Sequence, residues 1–149
     1  MTHDASFDNE VRLALYRLFV DRGRAPVPAE IARELGEPLV DVEASLQRLA
    51  DAHVIVLASG SSYVWMANPL SAIPTSFRVE TQGREWFGNC IWDALGIVAM
   101  LGDDGDVQTS CPDCGDEMSL AVRAGEVSGE GLVHFAVPAA RWWEDIGFT

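Results

Sequence analysis

The stretch from Arg84 to Leu101 constrains this chain more than any other. It reads Arg-Glu-Trp-Phe-Gly-Asn-Cys-Ile-Trp-Asp-Ala-Leu-Gly-Ile-Val-Ala-Met-Leu, with one thiol, Cys90, and one carboxylate, Asp93, inside an apolar run. Taken as a single helix, it sets Cys90 and Asp93 on one face, because residues three apart are neighbours there. Such a helix must be covered, and the rest of the chain is read by what can cover it.

Ahead of it lies a helical segment. Phe7, Val11, Leu15, Leu18 and Phe19 recur at helical spacing and predict a helix from Phe7 to Asp21, with Ser6 as N-cap and Gly23 as its end. Pro28 opens a short helix to Leu35, and Gly36 closes it. A third helix runs from Leu39 to about Ala52. Two short strands, His53–Leu57 and Tyr63–Met66, flank the turn 58–62. Three helices and a β-wing predict a winged helix-turn-helix over residues 1–66. Residues 67–83 read as a linker, stiffened by Pro69 and Pro74, that ends in a short strand, Phe77–Glu80.

After the central helix, which ends near Gly102, comes an acidic turn, 103–106. Short strands then follow at Val107–Ser110, Met118–Arg123 and Leu132–Val137, with a further fragment near Ile146. Pro138–Trp143 reads as a helical turn. The fold class expected is α+β, with residues 84–149 forming a small domain in which the central helix packs on a mainly antiparallel sheet.

Charge narrows the function classes. Ten arginines and no lysine stand against 23 carboxylates, for a net charge of −13. Such a chain repels phosphate backbones and anionic lipid. A base-reading helix needs Arg, Lys, Asn or Gln on its exposed face. The third helix offers Gln47 and Arg48 among Asp41, Glu43 and Asp51, so DNA is not expected as a partner. No apolar run is long enough to span a bilayer. Met1–Ser6 lacks the basic-then-apolar pattern of a signal peptide. A cytoplasmic protein without membrane contact is expected.

Three cysteines, Cys90, Cys111 and Cys114, argue against a disulfide framework and for metal, redox or nucleophilic chemistry. Cys90 alone reads as a buried core thiol. Asp93 beside it needs either a cation, for which Arg84 and Arg141 are the nearest choices, or a function as an acid. Cys111-Pro-Asp-Cys114-Gly has the form of half a zinc knuckle. Structural zinc wants four ligands, and His134 and Cys90 are the other soft donors available in this half. A tight turn with one buried and one exposed cysteine is the structural alternative. His134, between Val133 and Phe135, otherwise reads as a sheet residue, and Trp142-Trp143 as packing on the central helix or as a wall over Cys90.

Together these features resemble a known family. A winged helix-turn-helix is followed by Trp86-x-x-x-Cys90-x-x-Asp93, then Val107-x-x-x-Cys111, Met118-Ser-Leu-Ala-Val122, and a late Val133-His-Phe with Trp142-Trp143. The combination resembles the organomercurial (alkylmercury) lyase family, within it the actinobacterial alkylmercury lyase-like branch. The resemblance covers nearly the whole chain.

It implies a carbon–mercury lyase that needs no cofactor, with mercury as substrate metal and cellular thiols as partners. Cys90 falls on a catalytic cysteine that captures the metal, Asp93 on the aspartate that protonates the departing carbon, and Cys111 on a structural cysteine. Mercury is soft and prefers thiolate, and protonating a carbon leaving group is general acid work. Trp86, Trp92, Trp142 and Trp143 would line the pocket for the organic group.

The family's second catalytic cysteine follows a segment equivalent to 143–149, where this sequence stops. The resemblance therefore implies either a chain cut short there or a replacement sulfur from Cys111 or Cys114, with Cys114 the better placed. Cys90, Cys111 and Cys114 together form the expected soft-metal set, and zinc at Cys111 and Cys114 is the alternative use of that pair. A non-catalytic thiol or metal-binding protein and a metal-responsive winged-helix regulator are the rival functions.

Overall fold

The computed structural model of the chain describes residues 3–102 and 104–147. Three helices come first: α1 (His3–Arg22), α2 (Pro28–Leu35) and α3 (Leu39–Asp51). α1 begins ahead of Ser6, which is therefore an interior residue and not the expected cap; Asp4 in the first turn favours that start by complementing the helix N-terminus. α2 follows its sequence signals. Pro28 occupies its first turn, the Val27 backbone N–H donates to Glu30 Oε2 at 2.9 Å, and Gly36 ends it with a left-handed φ of 72°. α1 and α3 are tied by Asp8, whose carboxylate accepts from Arg48 Nη2 at 2.6 Å and from Ser45 Oγ at 2.6 Å.

Eight strands form one sheet in the order β1-β2-β3-β5-β4-β6-β7-β8, every neighbouring pair antiparallel. β1 (Val56–Leu57) and β2 (Val64–Ala67) form the antiparallel pair expected on either side of the turn 58–62. β1 starts later than the sequence suggested because His53 has a φ of 60°, which no strand accommodates. The stretch read as a linker contributes to the sheet. β3 (Leu70–Ser71) pairs with β2 on one side and, through Leu70 and Gly88, with β5 on the other, and β4 (Phe77–Thr81) follows. Pro69, joined to Asn68 by a cis peptide bond, stands in the turn between β2 and β3.

The largest correction falls on the opening stretch. Arg84–Gly88 is a strand, β5, and not the first turns of a helix. Gln82 and Gly83 carry positive φ values of 53° and 69° and form the two-residue turn of a β4–β5 hairpin. Trp86 and Gly88 then point inward at strand spacing. Helix α4 (Ile91–Leu101) begins only after Cys90, an extended residue at its N-cap with φ −148° and ψ −178°, and ends at Gly102 in the left-handed region.

β6 (Gly105–Ser110), β7 (Glu117–Arg123) and β8 (Glu126–Ser128) complete the sheet, and β6 takes in part of the segment read as an acidic turn. Residue 103 of that turn lies outside the described residues. No strand forms over 132–137. The alternating apolar residues there are solvent-facing, with Leu132 97% exposed; Gly129 and Gly131, at φ 135° and 148°, break strand geometry after β8 while still packing closely on Leu120 and Met118 of β7. The expected strand fragment near Ile146 is a turn that follows a 3-10 segment, Ala139–Glu144, which is the helical turn foreseen there.

One core runs through both halves. Val11, Leu15, Ile31 and Leu46 of the helices belong to the same buried cluster as Leu70, Val79, Trp86, Ile97 and Val107. α4 lies across β3, β4, β5 and β6. Two glycines set how closely it lies. A Cβ on Gly88 would stand 2.6 Å from the Ala94 backbone nitrogen, and one on Gly105 would stand 2.8 Å from a Val98 methyl. Among the described residues no helix is long and apolar enough to cross a membrane.

Candidate active site

β5 and α4 meet at a sharp corner, Gly88-Asn89-Cys90, and the candidate chemistry sits there. Because Cys90 is the N-cap, its thiol faces the exposed amides of the first helical turn. The thiol makes no cap hydrogen bond, but the Asp93 and Trp92 amides are near enough to influence it, and the Cys90 carbonyl accepts from the Ala94 amide at 2.9 Å. Cys90 and Asp93 are thus brought together as the sequence suggested, though by an N-terminal turn and not by a shared helix face.

Both groups are half-buried. Burial pushes the Cys90 thiol above its ordinary value, the helix amides pull it back, and the Asp93 charge adds to the rise. Asp93 is also raised. Its first cause is burial and not a neighbouring thiolate, and it is opposed by hydrogen bonds from the Asn89 side chain and backbone. Both groups therefore hold their protons more tightly than usual, in a partly dry corner at the positive end of a helix.

The partners of Asp93 are amide groups. Asn89 Nδ2 donates to Asp93 Oδ2 at 3.0 Å and to Asn68 Oδ1 at 3.1 Å. Tyr16 of α1 donates its hydroxyl to the Asn68 carbonyl at 2.8 Å and is close enough to feel the Asp93 charge. The two arginines considered as counterions are engaged elsewhere. Arg84 donates to the Val20 and Asp21 carbonyls at 2.7 and 3.0 Å, capping the end of α1, and Arg141 is paired with Glu144. Sequence reading passed over Tyr16, Asn68 and Asn89. The one available signal was Asn89, a carboxamide in an apolar run four residues before an acid.

The four tryptophans part company. Trp92 is 65% exposed and, with Phe135, Val137 and Trp142, lines an open apolar pocket of about 490 Å³. Trp142 is fixed there by donating to the Val137 carbonyl at 2.8 Å. Trp86 is only 3% exposed and belongs to the core, so it supports β5 from beneath and lines no pocket wall. Trp143 turns away and stacks on His53 at 4.2 Å and 6°. His134 is exposed on the irregular segment and is not a sheet residue.

Cys111 and Cys114 stand at the turn between β6 and β7, the first half-buried and the second exposed. Each thiol is near enough to influence the other's proton affinity. The backbone amides of Cys114 and Asp113 hold the Cys111 thiol below its ordinary value. The Asp116 backbone pulls Cys114 down too, but hydrogen bonds to Cys111 and the Asp116 carboxylate outweigh it and leave Cys114 raised. Among the described residues no three His, Cys, Asp or Glu side chains converge as a metal site. The expected three-sulfur set of Cys90, Cys111 and Cys114 is therefore not assembled: β4 lies between the strands that deliver Cys90 and Cys111.

Comparison with known proteins covers the part of the chain that contains this corner. The family model MerB, alkylmercury lyase, matches residues 70–149. A curated alkylmercury lyase of Staphylococcus epidermidis (strain ATCC 12228 / FDA PCI 1200) is 29% identical over 103 residues, 68% of this chain and 45% of that protein. A solved structure, the mercury-bound form of MerB2, superposes with a TM-score of 0.64 at 24% identity, over 80% of this chain and 58% of the other, and shares the fold. The chain spans about half the length of these relatives.

Proposed function

Given that this chain belongs to the alkylmercury lyase family, we propose that it cleaves carbon–mercury bonds, with Cys90 capturing the metal and Asp93 protonating the carbon. The observation that carries this reading is the joint burial of Cys90 and Asp93 at the first turn of α4, both with raised proton affinity. An acid of raised proton affinity beside a sulfur that binds soft metal suits protonolysis.

The step balances without a redox partner. An organomercurial thiolate, R–Hg–SR′, meets the Cys90 thiol. A sulfur–mercury bond forms at Cys90 and the carbon–mercury bond breaks. Asp93 gives its proton to the carbon, releasing R–H, and is reprotonated by the proton that Cys90 surrendered. Mercury leaves the step held between Cys90 and the thiol R′S, so a cellular thiol supplies the second sulfur. The apolar wall of Trp92 and Trp142 takes the organic group.

Residues 1–66 fit a winged helix-turn-helix used as a scaffold, with 67–83 as the connecting segment and 84–149 as the lyase-like unit. Gln47 donates to Asp51 at 2.9 Å and Arg48 is held by Asp8, so the two side chains suited to reading bases are both engaged within the chain. What this unit gives the site is Tyr16.

The test is hydrocarbon release. The chain incubated with phenylmercury and excess thiol is expected to yield benzene, and Cys90→Ser and Asp93→Ala are expected to abolish it. Turnover unchanged in either variant would overturn the assignment.

A further inference from the structure

We propose that Cys111 and Cys114 form a second, separate thiol site: a two-sulfur chelate for a soft cation of low coordination number, for which mercury(II) is the probe. The proposal goes beyond the lyase reading and does not rest on it.

The turn is built to hold two sulfurs together. The Cys111 N–H donates to the Asp116 carbonyl at 2.8 Å and the Gly115 N–H to the Cys111 carbonyl at 2.9 Å, which closes 111–116 into a tight loop between β6 and β7. Gly115 adopts φ 79°, a conformation that side chains resist. Both cysteines lie inside this six-residue loop, one half-buried and one exposed, so the closed turn keeps their thiols on one short stretch of backbone. A closed turn that carries two thiols with two residues between them can present both to one soft ion without refolding.

The ligand count selects the metal. Structural zinc takes four protein ligands, and here, even with Asp116 nearby, no three His, Cys, Asp or Glu side chains among the described residues form a metal site. A soft d10 ion that is satisfied by two thiolates is the class that fits. Loading is ligand exchange without oxidation or reduction. A mercury bis-thiolate gives its metal to the pair, two new sulfur–mercury bonds replace two old ones, and the thiol protons of Cys111 and Cys114 leave on the displaced monothiols. Holding both sulfurs on one short loop makes the second bond intramolecular, which is why the pair should outcompete free monothiols.

The site lies close to Cys90 without joining it. β5 and β6 run in the same direction on either side of β4, so Cys90 and Cys111 leave the sheet at the same end, two strand spacings apart, on the order of 10 Å.

The experiment uses the full chain, reduced, with Cys90→Ser to silence the first site. One equivalent of mercury(II) chloride is added with a large excess of 2-mercaptoethanol, and bound metal is measured after gel filtration. Cys90→Ser should retain one mercury per chain, and adding Cys114→Ser should lower retention at least about tenfold, the scale of a lost chelate. Cys114 is exposed, so its serine variant should keep its circular dichroism spectrum. Should Cys90→Ser itself misfold, the comparison is made between the wild-type chain and Cys114→Ser with two equivalents of mercury(II) supplied, where Cys114→Ser should retain one equivalent less. Equal retention with and without Cys114, no retention by Cys90→Ser in its folded state, or a stoichiometric zinc ion held by the untreated pair would each overturn the proposal. Failure of benzene release leaves this outcome untouched, so the two readings fail separately.

Discussion

Asn89 holds Asp93: its Nδ2 donates to Asp93 Oδ2 at 3.0 Å and to Asn68 Oδ1 at 3.1 Å. One carboxamide thus joins the acid at the start of α4 to the turn between β2 and β3. The bond favours the ionised carboxylate while burial favours the protonated one, and burial wins. Asn89 therefore acts as a brake on the proton affinity of Asp93 and also sets where the acid points.

Removing that brake has a defined sign. In Asn89→Ala the Asp93 carboxyl should titrate at higher pH than in the wild type, read by carbon-13 carboxyl shifts. If protonolysis is assayed, the limb of the pH profile governed by a required acid should move the same way. An Asp93 titration unmoved by the substitution would show that the bond does not tune the acid.

Asp93 should also cost stability. Its folded proton affinity is raised above that of the unfolded chain, so the native state binds the proton better. Stability attributable to this group is fully present below the unfolded value and is lost as pH rises through the folded one. Asp93→Asn removes the charge. It should melt at or above the wild-type temperature at pH 7, and the advantage should vanish in acid below the ordinary Asp range. A variant that melts lower at pH 7 and shows no pH-dependent gap would contradict the burial argument.

Gly88 is the hinge on which the corner depends. A Cβ there would lie 2.6 Å from Ala94 N, 2.9 Å from Ala94 Cα and 3.0 Å from the Cys90 carbonyl oxygen. These are backbone atoms, which cannot rotate away. Gly88→Ala should cost about 1–3 kcal/mol, the range for overpacking, measured by denaturant unfolding. It should also change the reaction rate of Cys90 with a thiol reagent, because the clash falls on the turn that presents its sulfur. Unfolding and reactivity both matching the wild type would remove Gly88 from this account.

What the sequence made legible follows from how local each signal was. α2 was readable from Pro28 and Gly36, and the Cys90–Asp93 pairing from spacing alone, since both a helix face and a first helical turn bring i and i+3 together. The start of α4 was hidden. Trp86 and Gly88 fit strand spacing, but the apolar run continues through Ile91 and Ile97, so periodicity could not mark the change. Its marker was Gln82-Gly83, a hairpin turn between the alternating segments Phe77–Thr81 and Arg84–Gly88. Leu70 was missed because its strand is two residues long and exists only through its partners Ala67 and Gly88. The split between Trp142 and Trp143 was invisible for the same reason: it depends on His53, ninety residues upstream by the numbering.

A last prediction concerns the end of α1 and the start of α2. Glu30 accepts from Arg24 at 2.7 and 2.9 Å, pairs with Arg22 at 2.5 Å and accepts the Val27 amide at 2.9 Å. The Arg24 hydrogen bonds, then the Val27 amide, hold its carboxyl at about 2. Its folded value lies below its unfolded one, so the stability it contributes is present above the unfolded value and drains away as pH falls through the folded one. Glu30→Gln should therefore lower the melting temperature at pH 7. The difference from wild type should shrink between the ordinary Glu range and pH 2, and raised salt should reduce it because the cluster is at the surface. A wild-type advantage that stays constant from pH 7 to pH 2 would mean that Glu30 acts through shape and not through its charge.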